Sequence, residues 1–222
     1  MIKKVHQILI SYDNIISYEV KNKINHVKEV YHDFEYTLWT DKKIKNFLIQ
    51  YFDQEVLDAY NTLVPFAFKA DLARFCILYI YGGIYLDLGI YVKQPFVFEK
   101  LTFPVNTYHN NVIDVGGICC PHLKDNFLLD IINNILHNVK HKIYTDHQLD
   151  VSGPSLLKNI YDKEKYDLNF INVEFYENGE KYVGEYFDYK LSSESGSLEY
   201  LGINGNNYND IWHQKGVYGE NL

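Results

Sequence analysis

The sequence predicts an α/β domain with a mostly parallel central sheet and helices on both sides of it. Three observations lead there. Residues 2–10 and 34–41 are short runs of strand character, and helix-patterned segments follow each of them. Residues 69–96 hold a helix, a glycine pair and an apolar strand that stops at a lone carboxylate, Asp87. Open α/β sheets take their ligands at the carboxyl ends of the strands, which is where Asp87 falls. No internal repeat, linker or low-complexity tract divides the 222 residues. A chain of that length is one domain, residues 1–222, with a substantial core.

The elements follow in order. Residues 2–10 form the first strand, and residues 16–32 a surface helix of mixed charge. Residues 34–41 form a second strand. Thr40 or Asp41 is placed to cap the helix that follows, over about residues 42–51. A helix over about residues 53–63 leads through Pro65 into the central one. There Leu72, Phe75, Cys76, Tyr79 and Ile80 recur at the three-to-four spacing of a buried face. Asp71 and Arg74 are three apart and so lie side by side. Gly82 or Gly83 takes the left-handed conformation that stops a helix. Ile84-Tyr85-Leu86 suits a buried strand, and Pro95 ends the strand pair that follows. Residues 101–119 give two apolar strands joined by a polar turn at 106–111. Residues 127–139 form a helix with a broad apolar face through Leu128, Ile131, Ile132 and Ile135. Ser152, before Gly153-Pro154, is an N-cap candidate for a further helix. Strand pieces near 170–175 and 181–186, a turn-rich stretch at 187–200 and a loop at 204–210 precede Ile211-Trp212-His213.

Charge and composition narrow the function. A net charge of -8 argues against a general nucleic-acid binder, because phosphate contacts along a duplex need a basic surface. It leaves room for a small phosphate ligand, which needs only a local cluster of donors. The 21 tyrosines suit stacking on sugars or bases, although a codon bias that also enriches Asn, Lys and Ile is the simpler explanation. Cys76, Cys119 and Cys120 are an odd set without zinc-type spacing. A reduced, cytoplasmic setting suits them. No stretch has the layout of a signal peptide or the length of a membrane span.

The motif at the centre resembles the sugar-binding region of glycosyltransferase family 32 and its relatives. That group includes the yeast-type initiating mannosyltransferases, capsular-polysaccharide transferases and clostridial glucosylating toxins. Its pattern is a small residue, Asp-x-x-Arg, then Tyr-Gly-Gly-x-Tyr-x-Asp-x-Asp. Ala70-Asp71-x-x-Arg74 and Tyr81-Gly82-Gly83-Ile84-Tyr85-Leu86-Asp87 match it. The second acid of Asp-x-Asp does not: the triplet here is Asp87-Leu88-Gly89. His6-Gln7 and Leu38-Trp39-Thr40-Asp41 match two further family segments, and Ser152-Gly153-Pro154 resembles its Thr-Gly-Pro.

The resemblance implies a GT-A type fold, Rossmann-like, and transfer of a hexose from a nucleotide-diphosphate sugar to a glycan, protein or small acceptor. UDP-sugars are favoured over GDP-mannose, and retention at the anomeric carbon is implied. It assigns Asp71, Arg74 and Asp87 to catalysis and donor binding. His6, Gln7, Trp39, Gly82, Gly83, Tyr85 and Ser152 join them around the donor. It also implies Mn²⁺ or Mg²⁺ on Asp87, with His213 as a candidate second ligand because Gly89 has no side chain to offer. Structural alternatives stand beside these roles: core positions for His6 and Trp39, helix termination for Gly83, and a surface ion pair for Asp71 with Arg74. Loss of the second acid also allows a nucleotide-sugar-binding module without turnover. A glycoside hydrolase using Asp71 and Asp87 as its carboxylate pair fits the surrounding motif poorly.

Overall fold

A computed structural model of the chain describes residues 2–12, 16–106, 112–163, 166–172, 175–177, 180–182, 185–188 and 205–219. The elements run β1 (Lys4–Leu9), α1 (Tyr18–Val30), β2 (Glu35–Thr40), α2 (Asp41–Tyr51), α3 (Gln54–Thr62), α4 (Phe66–Tyr81), β3 (Gly83–Leu86), β4 (Tyr91–Val92), β5 (Thr102–Asn106), β6 (Val112–Ile113), β7 (Gly117–Cys120), α5 (Asn126–Lys140), α6 (Pro154–Lys163), β8 (Asn169–Asn172), β9 (Phe175–Glu177), β10 (Glu180–Tyr182), β11 (Phe187–Asp188) and α7 (Tyr208–His213). The strands and helices predicted up to residue 140 are present with ends shifted by a few residues. Most of the polar turn expected at 106–111 and most of the stretch at 187–200 lie outside the described residues.

The main sheet has seven strands in the order β2-β1-β3-β7-β5-β6, with β8 on β5. β1, β2, β3, β5 and β8 run one way, while β6 and β7 run against them. The mostly parallel sheet is therefore interrupted by one reversed strand, β7, between β3 and β5. This places the loop before β7 beside the carboxyl end of β3.

Alternation along the strands sorts the two faces. Val5, Ile84 and Leu86 pack with Val27 of α1, and Leu9 packs with Val20 and Ile24 of the same helix. Ile8, Ile10, Tyr85 and Ile118 face a larger core built with α2 to α6. α4 lies inside that core, and its residues Asp71 to Leu78 are all buried. A helix apolar nearly all round is a core helix, so any charge it carries must be paired. None of the described helices is long and apolar enough to cross a membrane.

Two glycines make the α4–β3 junction possible. Gly82 (φ 59°) ends α4, and its N–H donates to Leu78 O at 2.8 Å. Gly83 (φ 85°) brings β3 against β1 so closely that a Cβ there would sit 2.5 Å from Lys4 O. Both glycines are at the amino end of β3, about 13 Å of strand away from Asp87.

Caps differ from the sequence reading in two places. Thr40 occupies the N-cap of α2, but no side chain caps it. Asp41 instead accepts a hydrogen bond from Tyr60 Oη at 2.9 Å. Ser152 caps nothing either: it is fully buried, and its hydroxyl is turned to Asp71. The three cysteines are free and buried. Cys119 faces Phe98 and Cys120 faces the His122 carbonyl, as alternation along β7 dictates. Burial raises their thiol pKa values to about 11 and about 12.

Candidate active site

The carboxyl ends of β1 and β3 open into two clefts that share Arg74 and Asp87. One, of about 380 Å³, runs along α4 past Asp71 to Asp114, Leu149 and Pro154. The other, of about 310 Å³, has Ile8, Leu9 and Ile10 on one side and Phe66, Asn206 and Tyr208 on another. A larger cleft of about 500 Å³ lies by Tyr51, Tyr79 and Leu136, but no motif residue lines it.

Arg74 is the hub. Its guanidinium reaches Asp71 Oδ1 at 3.1 Å and Asp87 Oδ1 at 3.4 Å through one nitrogen. Its other terminal nitrogen donates to Val115 O at 2.6 Å, and Nε donates to Ala70 O at 3.4 Å. The plane rests on the Tyr85 ring, 4.7 Å from its centroid, a cation–π contact. Burial opposes its charge, but Asp87, Tyr85, Asp71 and Asp114 outweigh that penalty and raise its pKa. The pair is thus no exposed i,i+3 surface bridge. It is a desolvated ion pair that ties α4 to the carboxylate at the end of β3.

Asp71 accepts from Arg74 on Oδ1 and from Ser152 Oγ on Oδ2 at 2.8 Å. Burial pushes its carboxyl up to about 6, while Arg74 and Ser152 pull the other way. Asp87 is the exposed member of the group, with 40% of its side chain open. Its Oδ1 accepts the Tyr85 hydroxyl at 2.5 Å. Tyr85 is buried beneath the cleft, and burial holds its phenol far above the ordinary range. Tyr85 therefore aims Asp87 and does not itself line the pocket. Ile90 N–H closes a turn on Asp87 O, so Leu88-Gly89 sits at its tip. A Cβ at Gly89 would meet nothing within 4 Å.

The structure brings Asp71, Arg74, Tyr85, Asp87 and Ser152 together, and it separates the rest of the predicted set. His6 and Trp39 lie in the core. Trp39 Nε1 donates to His6 Nδ1 at 3.2 Å, and His6 Nε2 pairs with Gly82 O at 3.0 Å. One ring nitrogen must accept and the other donate, so this network fixes the neutral Nε2–H tautomer. Burial lowers the His6 pKa to about 4. Gln7 is buried on the opposite face, where its Oε1 accepts from Tyr36 Oη at 2.9 Å. Gly82 and Gly83 shape the far end of β3. These five residues support the sheet and line neither cleft. His213 is exposed at the end of α7, packed edge-on against Trp212, and also lines neither. Among the described residues, no group of three or more His, Cys, Asp or Glu side chains is disposed to hold a metal.

Asp114 was missed by the sequence reading. It lines the same cleft as Asp71 and Asp87, and its Oδ1 accepts the Gly116 N–H at 2.6 Å. The segment from 114 to 116 enters the site because β7 pairs antiparallel with β3, and Asp87 N–H donates to Gly116 O at 2.7 Å. A reversed strand leaves no signal in a local motif.

Known proteins similar to this chain are glycosyltransferases. Residues 17–112 match the family model described as the glycosyltransferase sugar-binding region containing the DXD motif. An uncharacterized glycosyltransferase of Acanthamoeba polyphaga mimivirus is 34% identical over 119 residues, 49% of this chain and 47% of that protein. Inositol phosphoceramide mannosyltransferase 2 of Schizosaccharomyces pombe is 28% identical over 183 residues, 81% of this chain and 51% of that protein. The chain thus spans about half the length of these curated relatives. In structure it is similar to the PaToxG glycosyltransferase, with a TM-score of 0.50 and 16% identity over 73% of this chain and 68% of that one. Residues 17–112 are thus similar to the sugar-binding region of the DXD-motif glycosyltransferases, and the chain has a glycosyltransferase fold of the GT-A type.

Proposed function

We propose that this chain is a hexosyltransferase that takes a sugar from a nucleotide-diphosphate donor and passes it to a glycan, protein or small acceptor. The observation that carries the reading is the joining of Asp71, Arg74 and Asp87 into one charged cluster at the carboxyl edge of β3. The buried lone pairs of Asp71 accept hydroxyls of the transferred sugar. Arg74 spends its donors on protein partners, so its part is to hold both carboxylates in place. Asp87, steadied by Tyr85, faces the donor's ribose and diphosphate. The apolar wall of Ile8 and Ile10 with Phe66 and Tyr208 suits a nucleoside.

Retention is what the family resemblance implies, and attack on the same face that the leaving group departs from gives it without a covalent intermediate. The bond from the anomeric carbon to the phosphate oxygen breaks, the acceptor oxygen forms the new bond, and its proton passes to the leaving phosphate. Catalysis is mainly positioning and electrostatics. GDP-mannose is a donor to test beside the UDP-sugars, a choice supported by the mannosyltransferase names among the relatives.

A divalent cation fits this site as a partner shared with the donor. Asp87 offers a carboxylate that is part exposed, and Arg74 and Tyr85 both engage it through Oδ1. Mg²⁺ and Mn²⁺ are commonly held by one or two carboxylates together with substrate phosphates. When bound, such an ion neutralises charge on the departing diphosphate.

A second reading, a nucleotide-sugar-binding module without turnover, draws on Gly89, where the family has its second acid. A radiolabelled-donor assay separates the two. Slow donor hydrolysis or transfer that disappears in Asp87→Asn supports the enzyme. Tight donor binding with no product in either protein supports the module.

A further inference from the structure

The two clefts meet along a seam, where Ala67, Arg74, Asp87 and Tyr208 line both. Asp71 lines only the cleft of about 380 Å³, whereas Ile8, Ile10 and Phe66 line only the one of about 310 Å³. A donor with its nucleoside in the smaller cleft and its sugar hydroxyls on Asp71 must cross the seam. Its diphosphate and hexose then lie against the shared residues. Among the described residues, Tyr208 is the aromatic side chain that the two clefts have in common, since Phe66 lines one alone and Phe68 the other alone. It lies outside residues 17–112, so the family match assigns it no part.

Tyr208 is held in place by its neighbours. Its ring packs on Phe68, with centroids 5.8 Å apart and planes tilted by 43°. Asn207 Oδ1 accepts from Asn209 N–H at 2.9 Å and from Asp210 N–H at 3.4 Å, which fixes the first turn of α7. Asn206 is buried and ties this segment to the entrance of α4. Pro65, at the N-cap of α4, supplies no side-chain cap, and Asn206 Oδ1 accepts the Phe66 N–H at 2.6 Å from 140 residues away. Asn206 Nδ2 donates to Val64 O and to Tyr12 Oη, each at 3.3 Å. Tyr208 is thereby set against the helix that carries Asp71 and Arg74.

The face of an aromatic ring is negative, and the C–H groups of a pyranose carry small positive charges. A ring beside a hexose gains apolar contact together with a weak electrostatic attraction. We propose that Tyr208 is the platform for the transferred hexose, packing on its C–H face while Asp71 accepts its hydroxyls. The inference rests on the transferase reading of the same clefts. Tyr208 also walls the nucleoside cleft, so its loss weakens nucleotide binding as well. The mark of a platform is the additional loss when the sugar is present.

Calorimetric titration of UDP against UDP-glucose, and of GDP against GDP-mannose, reads the sugar's share. The proteins are wild type, Tyr208→Phe and Tyr208→Leu, with Mn²⁺ present. Comparing two ligands within one protein cancels any loss of fold stability. For the pair that wild type binds, Tyr208→Leu should lose at least about fivefold more affinity for the sugar nucleotide than for the diphosphate. Tyr208→Phe keeps the ring and should stay within about twofold of wild type for both. Equal weakening of both ligands by Tyr208→Leu overturns the proposal. So does an equal loss in Tyr208→Phe and Tyr208→Leu, which would give the role to the hydroxyl. Asp87→Asn, titrated alongside, reports on the parent reading. If it weakens donor binding while Tyr208→Leu shows no added loss with the sugar, the platform falls alone. No binding of any ligand by folded wild type removes both.

Discussion

Replacing Arg74 with Met removes the charge and keeps most of the volume of the hub residue. Five interactions are lost at once: the contacts to Asp71 Oδ1 at 3.1 Å, Asp87 Oδ1 at 3.4 Å, Val115 O at 2.6 Å and Ala70 O at 3.4 Å, and the cation–π contact on Tyr85. The consequences for the two acids differ. Asp87 has 40% of its side chain exposed and is solvated by water. Asp71 has 10% exposed and is stranded. Breaking a buried pair by removing one partner costs about 3–5 kcal/mol, most of it from the charge left behind. Asp71 has an escape, since its pKa is already near 6 and rises further without Arg74, so it takes up a proton. The lower end, about 3 kcal/mol at pH 7, is therefore expected. Asp71→Asn removes the stranded charge beforehand. Arg74→Met in that background should cost at least about 1 kcal/mol less than in wild type, the coupling expected of contacting residues. Urea unfolding of the four proteins of the cycle measures this by linear extrapolation. Additivity within about 0.5 kcal/mol, or an Arg74→Met cost below about 1 kcal/mol, would refute a desolvated hub.

Two further outcomes follow from the core. His6 has a folded pKa of about 4 against 6.5 unfolded, so the native state binds fewer protons than the unfolded chain. Its contribution is complete above pH 6.5 and is lost as pH falls toward 4, by about 3 kcal/mol in all. Acid titration of unfolding free energy should show His6→Gln flatter than wild type by about that amount across the window, and parallel curves would contradict the fixed neutral tautomer. Gly83→Ala should be among the most destabilising small changes, because its φ of 85° and a 2.5 Å approach to Lys4 O both exclude a side chain. A loss above about 2 kcal/mol in thermal or urea unfolding is expected, and a neutral effect would mean that β1 and β3 are not so closely joined.

How much of this was legible beforehand depends on how local the cause is. α4, its glycine stop and the strand that ends at Asp87 are written in adjacent residues, and the structure follows them. Asp71 and Arg74 were legible as a pair from their spacing. Their burial was not, because α4 is covered on all sides by elements distant in sequence. The resemblance put His6 and Trp39 at the donor. Alternation along β1 turns His6 instead toward the α2–α4 side, where Trp39 and the Gly82 carbonyl occupy both ring nitrogens. Ser152 was expected near the sugar or at a helix cap. Its hydrogen bond to Asp71, 81 residues away, is set by the packing of the segment before α6 against α4. Asp114 was invisible for the same kind of reason, since only the reversal of β7 beside β3 brings it to Asp87.

Calorimetric titration of UDP-glucose, UDP-N-acetylglucosamine, UDP-galactose and GDP-mannose into wild type and Asp87→Asn addresses the nucleotide-sugar site itself. Binding of one donor by wild type, weakened at least about tenfold in a variant that melts at the same temperature, is the predicted result. Equal binding by both proteins, or no binding of any donor by a folded wild type, would contradict a donor site at the end of β3.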